Sequence, residues 1–279
     1  MAEYKSFLRT VGGNEGNKCR YPTRLDSYGC GCAHDCGYCY ARSLLEFRDL
    51  WHPEEPAVAD IGKIRKKLDR IEPGSILRLG GMTDCFQPME KKYRVTYDVI
   101  RELNRRKIGY LIVTKSAIAA DDEYLNLYDP ELAHIQVSIT TTDDEKALKY
   151  EKASRTSDRI AAIEKLQANG MDVSVRLSPF IPEFVDFDVL NAIRCDKILV
   201  EFLRCNAFIR KTFPIDYSEY TVKQSGYRHL PLRKKMEYLT KITGFREVTV
   251  CEDETQAYQF WKENVNPNPD DCCNLRKAV

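Results

Sequence analysis

The chain alternates between short apolar runs and longer stretches in which apolar residues recur at helical spacing. The runs are SILRLGG at 75–81, IGYLIVT at 108–114, AHIQVSI at 133–139, MDVSVRL at 171–177 and KILVEFL at 197–203. Each is a short apolar-rich run of strand length. Between them, 90–106, 121–128, 157–169 and 186–194 carry the helical period. LDSYGC at 25–30 predicts a first strand and FREVTVC at 245–251 a last one. Gly81 after a strand and Gly170 at the close of a helix fit their punctuation roles. Repeated strand–helix units predict an α/β fold with a parallel sheet and right-handed crossovers. Six or seven units suit a partial or full β/α barrel, with chemistry on loops at the C-terminal ends of strands.

Composition narrows the class. The 279 residues are 43% hydrophobic and 30% charged, ordinary for a globular protein, with a net charge of +1. No apolar run approaches the roughly 20 residues of a membrane-spanning helix. The first residues, MAEYKSFLRTVGGNEGNK, lack an apolar core, so a secretory signal is not expected and a cytoplasmic address follows. We see no repeat, low-complexity block or long linker. The expected organisation is an N-terminal extension over 1–24, a β/α core over 25–203 and a C-terminal extension over 204–279 that faces substrate and completes the barrel.

Cysteine changes the picture most. There are eleven, an odd number, with four between Cys30 and Cys39 and an adjacent pair at Cys272 and Cys273. A secreted disulfide scaffold would be shorter and more evenly bridged, so crowding here points to metal or redox chemistry. Cys32-x3-Cys36-x2-Cys39 is a three-thiolate loop placed directly after the first predicted strand. Most protein cubane clusters take four Cys. Three leave one iron open to a small molecule such as S-adenosylmethionine (SAM), which can chelate it through amino and carboxylate groups. A zinc site is the alternative, with Cys30 or His34 completing four ligands. The aromatic Tyr38 before the last Cys favours the cluster.

The same segment resembles the radical SAM superfamily, and more narrowly its spore photoproduct lyase-related branch. Five in-order motifs carry the resemblance from Tyr21 to about Val200. They are YPTRLDSYGCGCAHDCGYCYAR, the Thr83-Asp84-x-aromatic-Gln87-Pro88-x-Glu90 element, Thr114-Lys115-Ser116, Val137-Ser138-Ile139 and Pro179-Phe-Ile-Pro182. The resemblance implies a partial (β/α)6-type TIM barrel with a C-terminal extension. It implies Cys32, Cys36 and Cys39 as ligands of a 4Fe–4S cluster and SAM as the second cofactor. Tyr38 would lie near the adenine, Thr83 and Asp84 at the amino group or ribose, Lys115 at the carboxylate, and Ser138 at the ribose or carboxylate. Gly80 and Gly81 would let the backbone approach the methionyl end. Such chemistry needs an external one-electron reductant such as flavodoxin or ferredoxin. Tyr40 matches a tyrosine linked to hydrogen transfer in the branch. The branch's quenching cysteine is replaced here by Met82, and Cys85 is the nearby thiol.

The C-terminal third carries its own signal. From Arg204 to Arg246 there are ten Lys and Arg against three acids. Tyr217, Tyr220, Tyr227, Arg228, Arg233 and Lys235 form the expected grip on an anionic, base-containing substrate, DNA or a nucleotide, through phosphate contacts and stacking. A solvated helix at 231–243 is the plainer reading of those charges. The expected function is therefore radical modification or repair of a nucleobase, viral DNA hypermodification included. Modification of a peptide or protein, and a non-catalytic zinc module on Cys30, Cys32, Cys36 and Cys39, are the alternatives. An auxiliary cluster would draw on Cys205, Cys251, Cys272 and Cys273, but the short spacings that mark such sites are missing.

Overall fold

The structure, a computed structural model, describes residues 7–275. The outer ends of both predicted extensions, 1–6 and 276–279, lie outside the described residues.

Eight strands form one sheet whose spatial order follows chain order: β1 (Leu8–Thr10), β2 (Thr23–Leu25), β3 (Ile76–Leu79), β4 (Gly109–Thr114), β5 (Ala133–Ile139), β6 (Asp172–Phe180), β7 (Lys197–Phe202) and β8 (Glu247–Val250). β1 pairs antiparallel to β2, and every later neighbour is parallel. The five internal apolar runs are strands β3 to β7, and 245–251 contains β8. β5 is buried along its whole length, including His134, Gln136 and Ser138, which alternate with its apolar residues, so both of its faces are covered. β1 and β8 are the two edges, so this is a partial TIM barrel that does not close. The C-terminal extension adds β8 without completing the ring.

Helices cover the outside. α1 (Tyr40–Leu45), α2 (Ile61–Leu68), α3 (Val95–Arg105), α4 (Thr156–Ala168), α5 (Ala207–Thr212), α6 (Leu232–Leu239) and α7 (Thr255–Asn264) are the ones that matter below. Asp60 caps α2 by accepting the Gly62 and Lys63 N–H groups, which would otherwise be unpaired. α3 buries Val95, Val99, Ile100 and Leu103 on one face. Each such side chain contributes about 1.5–3 kcal/mol on leaving water.

Two expectations shift. The strand expected over 25–30 is β2, which ends at Leu25 and is preceded by the unexpected β1. Asp26 Oδ1 accepts the N–H groups of Gly81, Met82 and Thr83 at 2.7, 2.9 and 3.2 Å, which pulls the chain out of the sheet. Tyr28–Gly29 then pairs with Ala57–Val58 in a separate two-stranded ribbon. The helix expected over 90–106 is interrupted at Arg94, which adopts φ +52° between Glu90–Tyr93 and α3. There the Glu90 carboxylate turns back to accept the N–H groups of Thr96 and Tyr97, both at 2.9 Å.

Candidate active site

The segments after β3, β4 and β7 and residues of β5 and β6 converge with the thiol loop around a cavity of about 180 Å³. Cys32, Cys36 and Cys39 all line it, on a loop turned by hydrogen bonds from Asp35 N–H to Cys32 O and from Cys39 N–H to Cys36 O. Cys30 does not line it. Its carbonyl instead accepts the His52 N–H at 2.8 Å.

The Gln87-Pro-x-Glu90 element anchors this loop from below. Gln87 Oε1 accepts the Ala33 N–H at 2.9 Å. Glu90, fully buried, accepts the hydroxyls of Tyr28 and Tyr124. On the other side, Gly37 donates its N–H to Tyr150 O at 2.8 Å, and its carbonyl accepts the Thr212 hydroxyl at 3.0 Å. The loop is thus held by both the N-terminal half and α5.

Asp84 ties two strand ends together. Its carboxylate accepts the Thr114 hydroxyl at 2.7 Å and the N–H groups of Lys115 at 2.6 Å and Phe86 at 2.8 Å. His34 Nε2 lies 3.3 Å from its Oδ2. Burial pushes this carboxyl up, but His34 and the donated hydrogen bonds outweigh burial and hold it below the ordinary range. Thr83 donates its hydroxyl to Tyr28 O at 2.7 Å. The glycines have a local reason as well. Gly80 sits at φ +84°, where a Cβ would lie 2.8 Å from Val113 O. At Gly81 a Cβ would press on the Arg24 side chain at 3.0 Å.

A buried ionic network that the sequence did not reveal supports the far wall. The Tyr38 hydroxyl donates to Glu151, which pairs with Arg159, and Arg159 Nη1 donates to Ser138 O at 2.8 Å. Arg159 occupies the same α4 face as Ala162, Ile163 and Leu166, all buried. A charge on that stripe was the readable signal. Lys115 Nζ stands 5.6 Å from the centre of the Tyr38 ring. Tyr40 donates its hydroxyl to Gly81 O. Arg204, also paired with Asp253, places its guanidinium 5.8 Å from the Tyr40 ring and 5.2 Å from the Tyr227 ring.

The residues expected at the cofactor, Tyr38, Gly80, Gly81, Thr83, Asp84, Lys115 and Ser138, all line the cavity, as does Tyr40, expected in catalysis. Three other assignments are corrected. Cys85 is fully buried in the apolar core and does not reach the cavity. Tyr220 is buried against Tyr217, their rings 5.5 Å apart edge to face. Lys235 is buried and paired with Glu252, because it lies on the inner face of α6. Of the expected grip, Arg233 is exposed, while Tyr227 and Arg228 are half-buried on a hairpin of Val222–Gln224 with Tyr227–His229.

The donor set fits an iron–sulfur cluster. The three thiols carry no disulfide. Among the described residues, the only group of three or more ligand atoms within 4.8 Å of one another is His229, Glu252 and Asp253. A tetrahedral zinc with Zn–S bonds of about 2.3 Å would draw its sulfurs closer than that. The three loop thiols form no such close group, and three thiols are the ligand set that leaves one iron of a cubane open. Burial, with Asp84 adding, pushes the Cys32 thiol up to about 12, so binding must displace protons.

An open barrel with three thiols on its first loop defines an enzyme built around a cluster and a small-molecule ligand. Residues 27–195 match the Radical SAM superfamily, and the chain belongs to it. Its cofactors are accordingly a 4Fe–4S cluster and SAM. The chain is 26% identical over 168 residues to an uncharacterized protein of Methanocaldococcus jannaschii, covering 57% of this chain and 61% of that one. It is 25% identical over 166 residues to an uncharacterized protein of Mycobacterium tuberculosis, covering 56% and 49%. The match thus spans about half to three fifths of these relatives. Among solved structures, spore photoproduct lyase complexed with dinucleoside spore photoproduct is similar in fold, with a TM-score of 0.59 at 15% identity over 88% of this chain and 81% of that one. Streptococcus suis SuiB bound to SAM gives 0.54 at 13% identity, over 87% and 53%. Among the described residues no helix is long and apolar enough to cross a membrane.

Proposed function

We propose that Cys32, Cys36 and Cys39 ligate the cluster and that the enzyme modifies or repairs a nucleobase in DNA or in a nucleotide. The carrying observation is that one cavity is lined by all three loop thiols, by Lys115 and Ser138 at the strand ends, and by Tyr40 and Arg204 at its rim. When bound, the reduced cluster supplies the electron that cleaves SAM to a 5′-deoxyadenosyl radical. Lys115 offers the cation for the SAM carboxylate, and Thr83 and Asp84 the polar edge for its amino group or ribose. Asp84 does so from a position already fixed by three donors. Glu151 and Arg159 hold Tyr38 and the Ser138 backbone in place.

For the substrate, Tyr40, Arg204 and Tyr227 make a stack of two aromatic faces around a guanidinium. That is a surface suited to a base and its phosphate. The likeness of fold to a lyase crystallised with a dinucleoside photoproduct supports this reading. The test is anaerobic reconstitution, reduction, and measurement of 5′-deoxyadenosine with and without oligonucleotides and nucleotides. Stimulation by a base-containing anion supports the reading. Stimulation only by peptides overturns it.

A further inference from the structure

A second cavity, of about 60 Å³, lies beside the first and shares Arg78, Arg176, Glu201, Phe202 and Arg204 with it. Four thiols line it: Cys19, Cys251, Cys272 and Cys273. They come from three separate parts of the chain. Cys19 follows the short helix Gly13–Lys18, Cys251 follows β8, and Cys272 and Cys273 sit in a turn near the C-terminus. In an extended segment adjacent side chains point apart. The turn brings both into one cavity. Cys205, the fourth thiol expected from sequence, is elsewhere, with its sulfur 3.6 Å from Arg228 O.

Much of the tail's bonding holds these thiols here. Asn266 Oδ1 accepts the Val250 N–H at 2.8 Å, and its amide donates to Val250 O at 3.1 Å. Asp271 accepts the Tyr21 hydroxyl at 2.5 Å and the Cys273 N–H at 3.0 Å. Lys197 Nζ donates to Asn274 O at 3.1 Å. The tail thereby bridges the residues next to β2 and those of β8, across the side where the barrel is open.

Basic side chains outnumber acids in the cavity wall, five to three, with Glu201, Glu252 and Asp253 as the acids. Arg24, Arg78 and Arg176 line the cavity, and Arg78 Nε is buried without a hydrogen-bond partner. Thiolates need such neighbours to leave water. None of the four is in a disulfide.

We propose that Cys19, Cys251, Cys272 and Cys273 form a second metal site, which takes an iron–sulfur cluster and fastens the two open edges of the barrel together. The donor set is four thiols, the ligand set of a complete cubane. Cys272 lies within hydrogen-bonding reach of both Cys251 and Cys273, and among the described residues no three of these sulfurs lie mutually within 4.8 Å. Four thiolates satisfy every iron of a cubane, so this cluster offers no open iron and is not a second SAM site.

The test is metal content after anaerobic reconstitution. The wild type should hold about eight irons per chain, and the Cys272→Ala/Cys273→Ala variant about four, on cubane stoichiometry. A Cys32→Ala/Cys36→Ala/Cys39→Ala variant should keep about four irons and a visible cluster spectrum, and adding the 272 and 273 changes should remove both. This pair of variants also separates the two sites: if the first loop held no cluster, the wild type would carry about four irons and the double variant none. About four irons in the wild type, unchanged in the double variant, overturns the proposal. Zinc in place of iron, or a disulfide among the four in the anaerobically purified protein, overturns it too. Should the triple variant not fold, the wild-type and double-variant iron counts decide alone.

Discussion

Ala33, inside the thiol loop, donates its backbone N–H to the side-chain oxygen of Gln87 at 2.9 Å. One buried side chain thus couples the loop to the segment that follows β3. Gln87→Leu removes the acceptor and leaves a backbone donor unpaired, at a cost of about 1–3 kcal/mol. We expect the reconstituted variant to lose iron to a chelator roughly 5- to 150-fold faster than wild type. Equal loss rates would remove Gln87 from loop positioning.

Cys32→Ala, Cys36→Ala or Cys39→Ala should each abolish SAM cleavage, measured as 5′-deoxyadenosine. Cys30→Ala should retain it, because that residue does not line the cavity. Loss of cleavage in Cys30→Ala with retention in Cys32→Ala would reassign the ligands.

Lys115 and Asp84 should separate in their effects. Lys115→Ala removes one charge-assisted contact, worth about 1.5–3 kcal/mol, and should weaken SAM binding about 10- to 150-fold at unchanged Tm. Asp84→Ala should weaken SAM binding and also lower Tm, since Asp84 joins the segment after β3 to the end of β4 through Thr114 and Lys115. Titration calorimetry and thermal melts check both. An Asp84→Ala protein with wild-type Tm would deny it the positioning role.

The order of strands and the three-thiol loop were legible because both are local patterns. β5 carries an apolar residue at every second position, and the ligand spacing lies within eight residues, Cys32 to Cys39. What the sequence hid was produced by distant segments meeting. Arg159 stands out as a charge on an apolar stripe, but nothing local says that it reaches Ser138 or, through Glu151, Tyr38, and Cys19 lies over 230 residues from the thiols with which it lines the second cavity. Charge counting failed for a related reason. Lys235 is one of ten basic residues in its segment, yet the inward turn of α6 places it on Glu252.

That burial makes Lys235 a stability residue. Lys235→Met leaves the Glu252 carboxylate without its buried cation, a change that costs about 3–5 kcal/mol. We expect a large fall in the denaturation midpoint. The fraction that remains folded should bind oligonucleotide as the wild type does. A stable variant with weak binding would return Lys235 to the substrate surface.

The substrate grip should then rest on the hairpin and the exposed face of α6. Tyr227 stands within 5.2 Å of Arg204, and Arg228 follows it, while Arg233 is exposed on α6. Phosphate contacts release counterions, so each one lost reduces the slope of log affinity against log salt by about 0.7 for a single strand. Arg228→Ala and Arg233→Ala should each show that reduction, and Arg228→Glu and Arg233→Glu should cripple binding while sparing uncoupled SAM cleavage. Tyr227→Ala should instead weaken binding by about 1–3 kcal/mol at every salt concentration, because stacking involves no counterion. Oligonucleotide binding measured across a salt series distinguishes the two signatures. A wild-type protein whose affinity does not change with salt, or that binds no oligonucleotide or nucleotide, would end the nucleobase reading and move a peptide substrate ahead of it.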